Sequence, residues 1–307
     1  MNQKHAPTRS RSMPGFPFVV LIGILGMLAV GPLSPAEAVQ CGDGVTSDVT
    51  LTGDLDCSGY EKSPVLKVTA PVTLNLNGFK VIGNGQIGIL IDTEGAKVLD
   101  GTVTNCSSAV AIESGHNDNE IWNVTAVKNT ERAFRIRSNN NFITECVSMS
   151  NGDHGFDIRG QNNWVSRCKS TRNGILPKQA QGFHFEGSGH RAVENYAAGN
   201  TGGGFQINEG ASGLTLINNS SLNNKGQGFL LKTTALDNVM YGNFASKNAL
   251  DGILVEDGAT GNIIFHNVAW RNGDRHTTFD LSDGSGKCDD NKWTRDWFRT
   301  RNTDCIK

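Results

Sequence analysis

The chain has 307 residues, with 28 basic against 30 acidic side chains, a net charge of −2, 37% hydrophobic and 19% charged residues. So near-neutral a balance gives no electrostatic reason for a nucleic-acid partner or an anionic membrane surface. All 7 cysteines lie beyond residue 40, and none has the spacing of a zinc motif.

The first 15 residues carry Lys4, Arg9 and Arg11 and no acid; Phe16 to Val30 is an almost unbroken apolar run, closed by Ala36, Glu37 and Ala38. This predicts a secretory signal over residues 1–38, too short for a membrane span. Ser10 separates Arg9 from Arg11, so no twin-arginine pattern is present, and Gln40 before Cys41 does not suit lipoprotein cleavage. The remaining residues hold 25 basic against 29 acidic groups. A secreted or periplasmic protein free of the membrane is expected, an elongated single domain and a monomer.

Residues 39–87 read as an N-terminal cap and first strands. Cys41 and Cys57 lie there, Cys288 and Cys305 in the C-terminal segment 283–307. Each pair closes a short loop where a solenoid must hide its open edge, so both are expected as disulfides in an oxidising compartment.

Between the caps, over residues 88–282, one phrase recurs nine times. Its apolar pairs are Ile89/Ile91, Val110/Ile112, Phe134/Ile136, Phe156/Ile158, Phe183/Phe185, Phe205/Ile207, Phe229/Leu231, Ile253/Val255 and Phe279/Leu281. Successive pairs are 21 to 27 residues apart. An Asn column accompanies them at Asn105, Asn129, Asn151, Asn173, Asn200, Asn224, Asn248 and Asn272, and a second column runs Asp100, Val124, Cys146, Cys168, Asn195, Asn219, Asn243 and Asn267. Short alternation is strand periodicity, and a period of 20 to 50 residues marks a solenoid. With Gly and Asn at corners, where positive φ is cheap, each period reads as one rung of a parallel β-helix. Rungs about 4.8 Å apart would stack Asn on Asn. A propeller blade needs roughly 40 residues or more. Cys146 and Cys168 share a column and are either bridged or two free thiols; Cys106 is left over as a half-buried, inert residue.

The stretch "NFITECVSMSNGDHGFDIRGQNNWVSRCKSTRNG" resembles the right-handed parallel β-helix repeats of the pectate-lyase-like superfamily, including NosD-like periplasmic proteins and mannuronan epimerases. The ends "CGDGVTSDVTLTGDLDC" and "CDDNKWTRDWFRTRNTDCI" resemble those of secreted bacterial β-helix proteins. The resemblance implies an all-β, right-handed parallel β-helix of about nine rungs with disulfide-pinned ends. Lyases, epimerases, hydrolases and non-enzymes share this repeat.

Residues one and three places after each first apolar member must face outward. The first outward column reads Leu90, Ala111, Arg135, Asp157, His184, Gln206, Leu230, Leu254 and Asp280; the second reads Asp92, Glu113, Arg137, Arg159, Glu186, Asn208, Lys232, Glu256 and Ser282. Functional side chains concentrate in the middle. The longest insertion, Gly174 to Gly182, leaves the coil beside them and carries Lys178. Just upstream of Asp157, Asp153 and His154 form a pair distantly similar to the Asp-Pro-His-Asp signature of mannuronan epimerases, with Gly152 before them, no Pro between and Gly155 after.

A β-elimination or C5-epimerisation of an acidic polysaccharide would use these groups coherently: Arg137 and Arg159 neutralise the uronate carboxylate, His184 or His154 removes the C5 proton, and Lys178 or Asp157 assists. Arg135, Glu186, Gln206 and Asn208 would complete the substrate surface. Two carboxyls for hydrolysis are available in Asp157 and Glu186. Equally, Glu113 beside Arg137 and Glu186 beside Arg159 could be salt bridges in series on an inert face, as in a glycan-binding scaffold or a NosD-like maturation factor. A copper role is disfavoured because His184 and His190 have no methionine partner. No cofactor is called for, with calcium at the acidic corners left open. Trp293, Trp297 and Phe298 are either a plug for the open end or a sugar-stacking platform.

Overall fold

The computed structural model describes residues 39–307 apart from Leu176, Arg275 and Asp289; the secretory signal read at residues 1–38 lies outside the described residues. All regular structure among them is strand, mostly three residues long and paired in parallel. One sheet of 11 strands runs from Gly44–Val45 to Leu281–Asp283. It extends two strands further towards the N-terminus than the nine repeats, because Gly44–Val45 and Leu66–Val68 join it. Most rungs then continue through two further strands, for example Phe142–Thr144 and Val147–Met149, which stack as the second and third sheets of the coil, joined where Lys97–Thr104 and Glu120–Val127 run through both.

The inward members of the first sheet form the pile that the spacing predicts. Phe134, Phe156, Phe183, Phe205 and Phe229 are all buried, and their rings stack in series at 4.7 to 4.8 Å. Five coaxial rings fix the register of this sheet, since a slip of one residue would turn every ring to solvent.

Each corner between sheets is a single left-handed residue followed by a buried one. In the first ladder the left-handed residues are Asn105, Lys128, Ser150, Arg172, Gly199, Asn223, Lys247 and Arg271. The buried residues that follow them are Cys106, Asn129, Asn151, Asn173, Asn200, Asn224, Asn248 and Asn272. Each Asn donates from its backbone N–H and its Nδ2 to Oδ1 of the next rung, as Asn224 does to Asn248 at 3.1 and 3.0 Å. Nδ2 also reaches an interior carbonyl, such as Ala197 O at 3.2 Å. The ladder has polarity. Its first residue need only donate a backbone N–H, which Cys106 does to Asn129 Oδ1 at 3.0 Å. Its last need only accept, which Asp280 does from Asn272 N at 2.9 Å and Nδ2 at 3.0 Å. A second ladder likewise opens on Cys168 and ends on Asp296.

Three expectations are corrected here. Asn105 and Asp100 are the left-handed residues of their corners, at φ 58° and 54°, so Cys106 and Gly101 take the column places assigned to them. In the last rung the inward pair is Leu281 and Asp283 rather than Phe279 and Leu281, because Leu281 pairs with Ile253 and Asp283 with Val255. The outward places there belong to Ser282 and Gly284; Asp280 is buried at the end of the first ladder. Cys106 is fully buried, not half-buried, and burial pushes its thiol up to about 12.

A third ladder, unread in the sequence, runs through Asn119, Asn141 and Asn163, passes to His190, and resumes at Asn238, Asn262 and Asn291. His190 stands in for an Asn: Nδ1 accepts from Asn163 N–H at 3.1 Å and Nε2–H donates to Glu186 O at 2.8 Å. Burial lowers its pKa, so it is a neutral rung of the scaffold.

Both ends are pinned as expected, by Cys41–Cys57 and Cys288–Cys305, while Cys146 and Cys168 are buried free thiols. Trp293 is the plug, 3% exposed with Nε1–H donated to Asp283 Oδ2 at 3.1 Å. Trp297 instead faces solvent.

Candidate functional site

At the centre of the first sheet, Arg135, Asp157, His184 and Gln206 are lateral neighbours on four adjacent strands. The one-residue alternation points them all outward, yet Asp157 is fully buried and His184 is 6% exposed. Charged neighbours and the corner upstream cover them. Ion pairs reach Asp157 from Arg132 Nε at 2.9 Å, Arg159 Nε at 3.1 Å and His184 Nδ1 at 3.1 Å. The Arg132 approach is not aligned as a hydrogen bond, so Oδ2 of Asp157 has no hydrogen-bond donor. Burial alone would raise this carboxyl; the His184 hydrogen bond and the charges of His184 and Arg159 overcome it and hold it well below the usual range.

His154 lies over this group, its ring stacked on His184 with centroids 4.8 Å apart and planes 12° apart. It enters from the corner between Met149 and Phe156. A Cβ on Gly152 would sit 2.0 Å from Thr130 O, and one on Gly155 would sit 2.0 Å from Ser170 Oγ. Glycine at both positions lets the corner close down far enough for the two imidazoles to meet.

The rings are fixed in opposite tautomers. The ionised Asp157 accepts from His184, so His184 carries a proton on Nδ1, and its neutral form presents an Nε2 lone pair, 3.7 Å from Glu186 Oε1. His154 Nδ1 accepts the backbone N–H of Gln181 at 2.9 Å, which places its proton on Nε2. Burial, then the charge on His184, lowers His154 to about 4, so it is neutral near pH 7.

The insertion 174–182 forms the wall expected of it. Besides the Gln181 N–H, it brings Lys178 Nζ to 2.8 Å from Asp153 Oδ2. Burial would raise Asp153, but the Lys178 hydrogen bond and the charges of Arg132 and Lys178 keep it low. On the open side, Arg159 Nη1 meets Glu186 Oε2 at 3.0 Å, and these carboxylates raise Arg159 against its own burial. A polar relay runs along the rim: Gln181 donates to Gln206 at 2.8 Å, Gln206 to Asn208 at 3.1 Å, and Asn208 to Glu186 at 3.2 Å.

The predicted residues thus divide. His154, Asp157, Arg159, Lys178, His184 and Glu186 come together, with Gln206 and Asn208 on the rim. Arg135 and Arg137 stand one rung lower, both joined to Glu113, Arg137 at 3.4 Å. One role changes: Asp157 is too strongly held as an anion to donate a proton. Arg137 shares the single carboxylate of Glu113 with Arg135. Arg132 and Gln181 were missed. Both occupy the column two places before the apolar pair, which also holds His154, and reading that column would have found them.

Among the described residues, no group of three or more His, Cys, Asp or Glu is placed to hold a metal ion.

The family model for the right handed beta helix region matches residues 68–221 and 133–291. No curated protein sequence matches the chain. Among solved structures, the periplasmic alginate epimerase AlgG is similar at a TM-score of 0.63 and 14% identity, covering 82% of this chain and 67% of its own. Pectate lyase Pel9A is similar at 0.56 and 12%, covering 88% and 79%. The Dettilon tailspike protein is similar at 0.50 and 14%, covering 79% and 51%. With its stacked rungs, phenylalanine pile and a family match spanning most of its length, the chain belongs to the right handed beta helix family.

Proposed function

We propose that this protein acts outside the cytoplasm on an acidic polysaccharide, removing the C5 proton of a uronate residue as a lyase or C5-epimerase. One observation carries the reading: two stacked imidazoles in opposite tautomers, one presenting a lone pair and the other an N–H. Proton abstraction next to a carboxylate needs a base, a hydrogen-bond donor for the charge that develops on the carboxylate oxygens, and a cation to neutralise it. His184 Nε2 is the base, oriented by Asp157. His154 Nε2–H is the donor. Arg159, on the open side beside Glu186, takes the carboxylate. Lys178, tethered to Asp153, is the acid for the leaving oxygen or for C5. That AlgG is an alginate epimerase and Pel9A a pectate lyase supports a polysaccharide as substrate, and two disulfides suit an oxidising compartment.

The pairing of Glu113 with both Arg135 and Arg137 favours a second reading, a β-helix that binds glycan, or serves as a NosD-like scaffold, without turnover. The two separate on incubating the mature protein with a panel of uronate polymers, following unsaturated-product absorbance and C5 inversion by NMR. Either signal, lost in His184→Gln, supports the enzyme. Binding without either signal supports the second reading, and neither binding nor turnover overturns the acidic-polysaccharide assignment.

A further inference from the structure

Trp297, 56% exposed, is the most exposed aromatic among the described residues. It lies on the third sheet, opposite Val268 in register, and stacks on Trp270 with centroids 4.9 Å apart and planes 23° apart. The guanidinium of Arg299 lies over Trp270 at 5.6 Å and that of Arg271 at 5.8 Å. Neither arginine has a carboxylate partner among the described residues. This sets the corner apart from the first sheet, where Arg132, Arg135, Arg137 and Arg159 are all in ion pairs.

An arginine stacked on an aromatic face has used that face. Its in-plane N–H groups remain directed outward and suit a carboxylate. The exposed indole stacks on the same Trp270 that both arginines overlie, so the corner offers a flat apolar surface for a sugar ring and two forks for the acid it carries. The Asn ladders and the Cys288–Cys305 bridge already close this end of the coil, with Trp293 as plug, so Trp297 has no packing role that would explain its exposure.

We infer that the C-terminal end of the third sheet is a second site for acidic glycan, separate from the His154–His184 site, where a uronate ring stacks on Trp297 and its carboxylate is held by Arg299 and Arg271. The ligand class rests on the function proposed above; the site rests on its own residues. The site would hold a long chain to the protein while another part of the same chain occupies the first sheet, raising the local concentration of substrate.

The test is calorimetric titration of the mature protein with an oligouronate about ten sugars long, a neutral oligosaccharide of equal length and a single-stranded oligonucleotide. Oligouronate affinity is expected to fall about tenfold in Trp297→Ala and in Arg299→Gln, to be kept in Trp297→Phe and to persist in His184→Gln. Should Trp297→Ala fail to fold, Arg299→Gln decides alone. Wild-type affinity in Trp297→Ala and Arg299→Gln overturns the inference, as does equally tight binding of the neutral chain or the oligonucleotide. Loss of binding in Trp297→Ala by a protein without C5 chemistry sinks the enzymatic reading and leaves this one standing. C5 chemistry with unchanged binding in Trp297→Ala does the reverse.

Discussion

The corners of the coil and the centre of its first sheet are both built by stacking polar residues on polar residues at the rung spacing, and they end in opposite states. In the Asn ladders every amide donates upward and accepts from below, so the stack is neutral and closed between its ends, and only a terminal carboxyl such as Asp296 can change charge. At the outward centre the stacked residues are unlike one another, and their charges meet without saturating: Asp157 Oδ2 and Asp153 Oδ1 lack a hydrogen-bond donor, and each of two imidazoles keeps a nitrogen outside any hydrogen bond. Repetition makes a scaffold. Departure from repetition, at the rungs where the column residues cease to match, makes a candidate site.

Breaking the two regions should have different consequences. The largest effect is expected from His184→Gln, which keeps a donor beside Asp157 but removes the base: turnover should drop by about 10² to 10⁴, with the unfolding midpoint little changed. Asn224→Leu should do the opposite. It leaves Asn200 N–H without its acceptor and takes one partner each from Asn200 Nδ2, Ala197 O and Asn248 Oδ1, the last still accepting the backbone N–H of residue 224, costing roughly 3–5 kcal/mol in denaturant unfolding, while residual folded protein keeps its chemistry.

Acidity sharpens the contrast further. His154 sits at about 4 in the fold against an ordinary 6.5, so the folded state binds fewer protons between those values. Its contribution is complete above 6.5 and is lost as pH falls towards 4, by roughly 3 kcal/mol. Asp296, which ends the second ladder where an Asn would otherwise stand, is pushed by burial up to about 7 from 3.8. The folded state there binds more protons, so its contribution is complete below 3.8 and is lost as pH rises towards 7, by up to about 4 kcal/mol. Asp296→Asn should therefore stabilise the protein at pH 8 and do little at pH 4. His154→Asn, which can still accept the Gln181 N–H, should remove the loss of stability on acidification below 6.5. Unfolding midpoints across pH 4–8 check both signs. The smallest change expected is from Arg137→Gln. With Arg137 already paired to Glu113 on an exposed surface, stability should shift by under about 1 kcal/mol and turnover only modestly.

Much of the fold was legible because apolar residues two apart, repeated at 21 to 27 residues, admit few arrangements. The misplacements have a common physical origin. Asn is favoured both in the left-handed corner position and in the ladder position directly after it, so Asn105 could be read as either, and only hydrogen bonding separates them. The third ladder was hidden because His190 and Leu214 interrupt it. The last rung slipped because Phe279 mimics the inward aromatic of earlier rungs. The outward columns delivered Asp157, Arg159, His184 and Glu186 directly. What spacing could not supply was tautomer and closeness: that a backbone N–H from the insertion would address His154, and that two glycines would let one imidazole lie on another.

Proton removal from C5 is the claim on which the functional account stands. Incubating the mature protein with uronate polymers in D₂O and recording NMR spectra reads it directly. Deuterium appearing at C5, or an unsaturated sugar where C5 has been lost, in the wild type and not in His184→Gln is the predicted result. Polymers recovered with C5 protonated and intact, from wild type and variant alike, would contradict it.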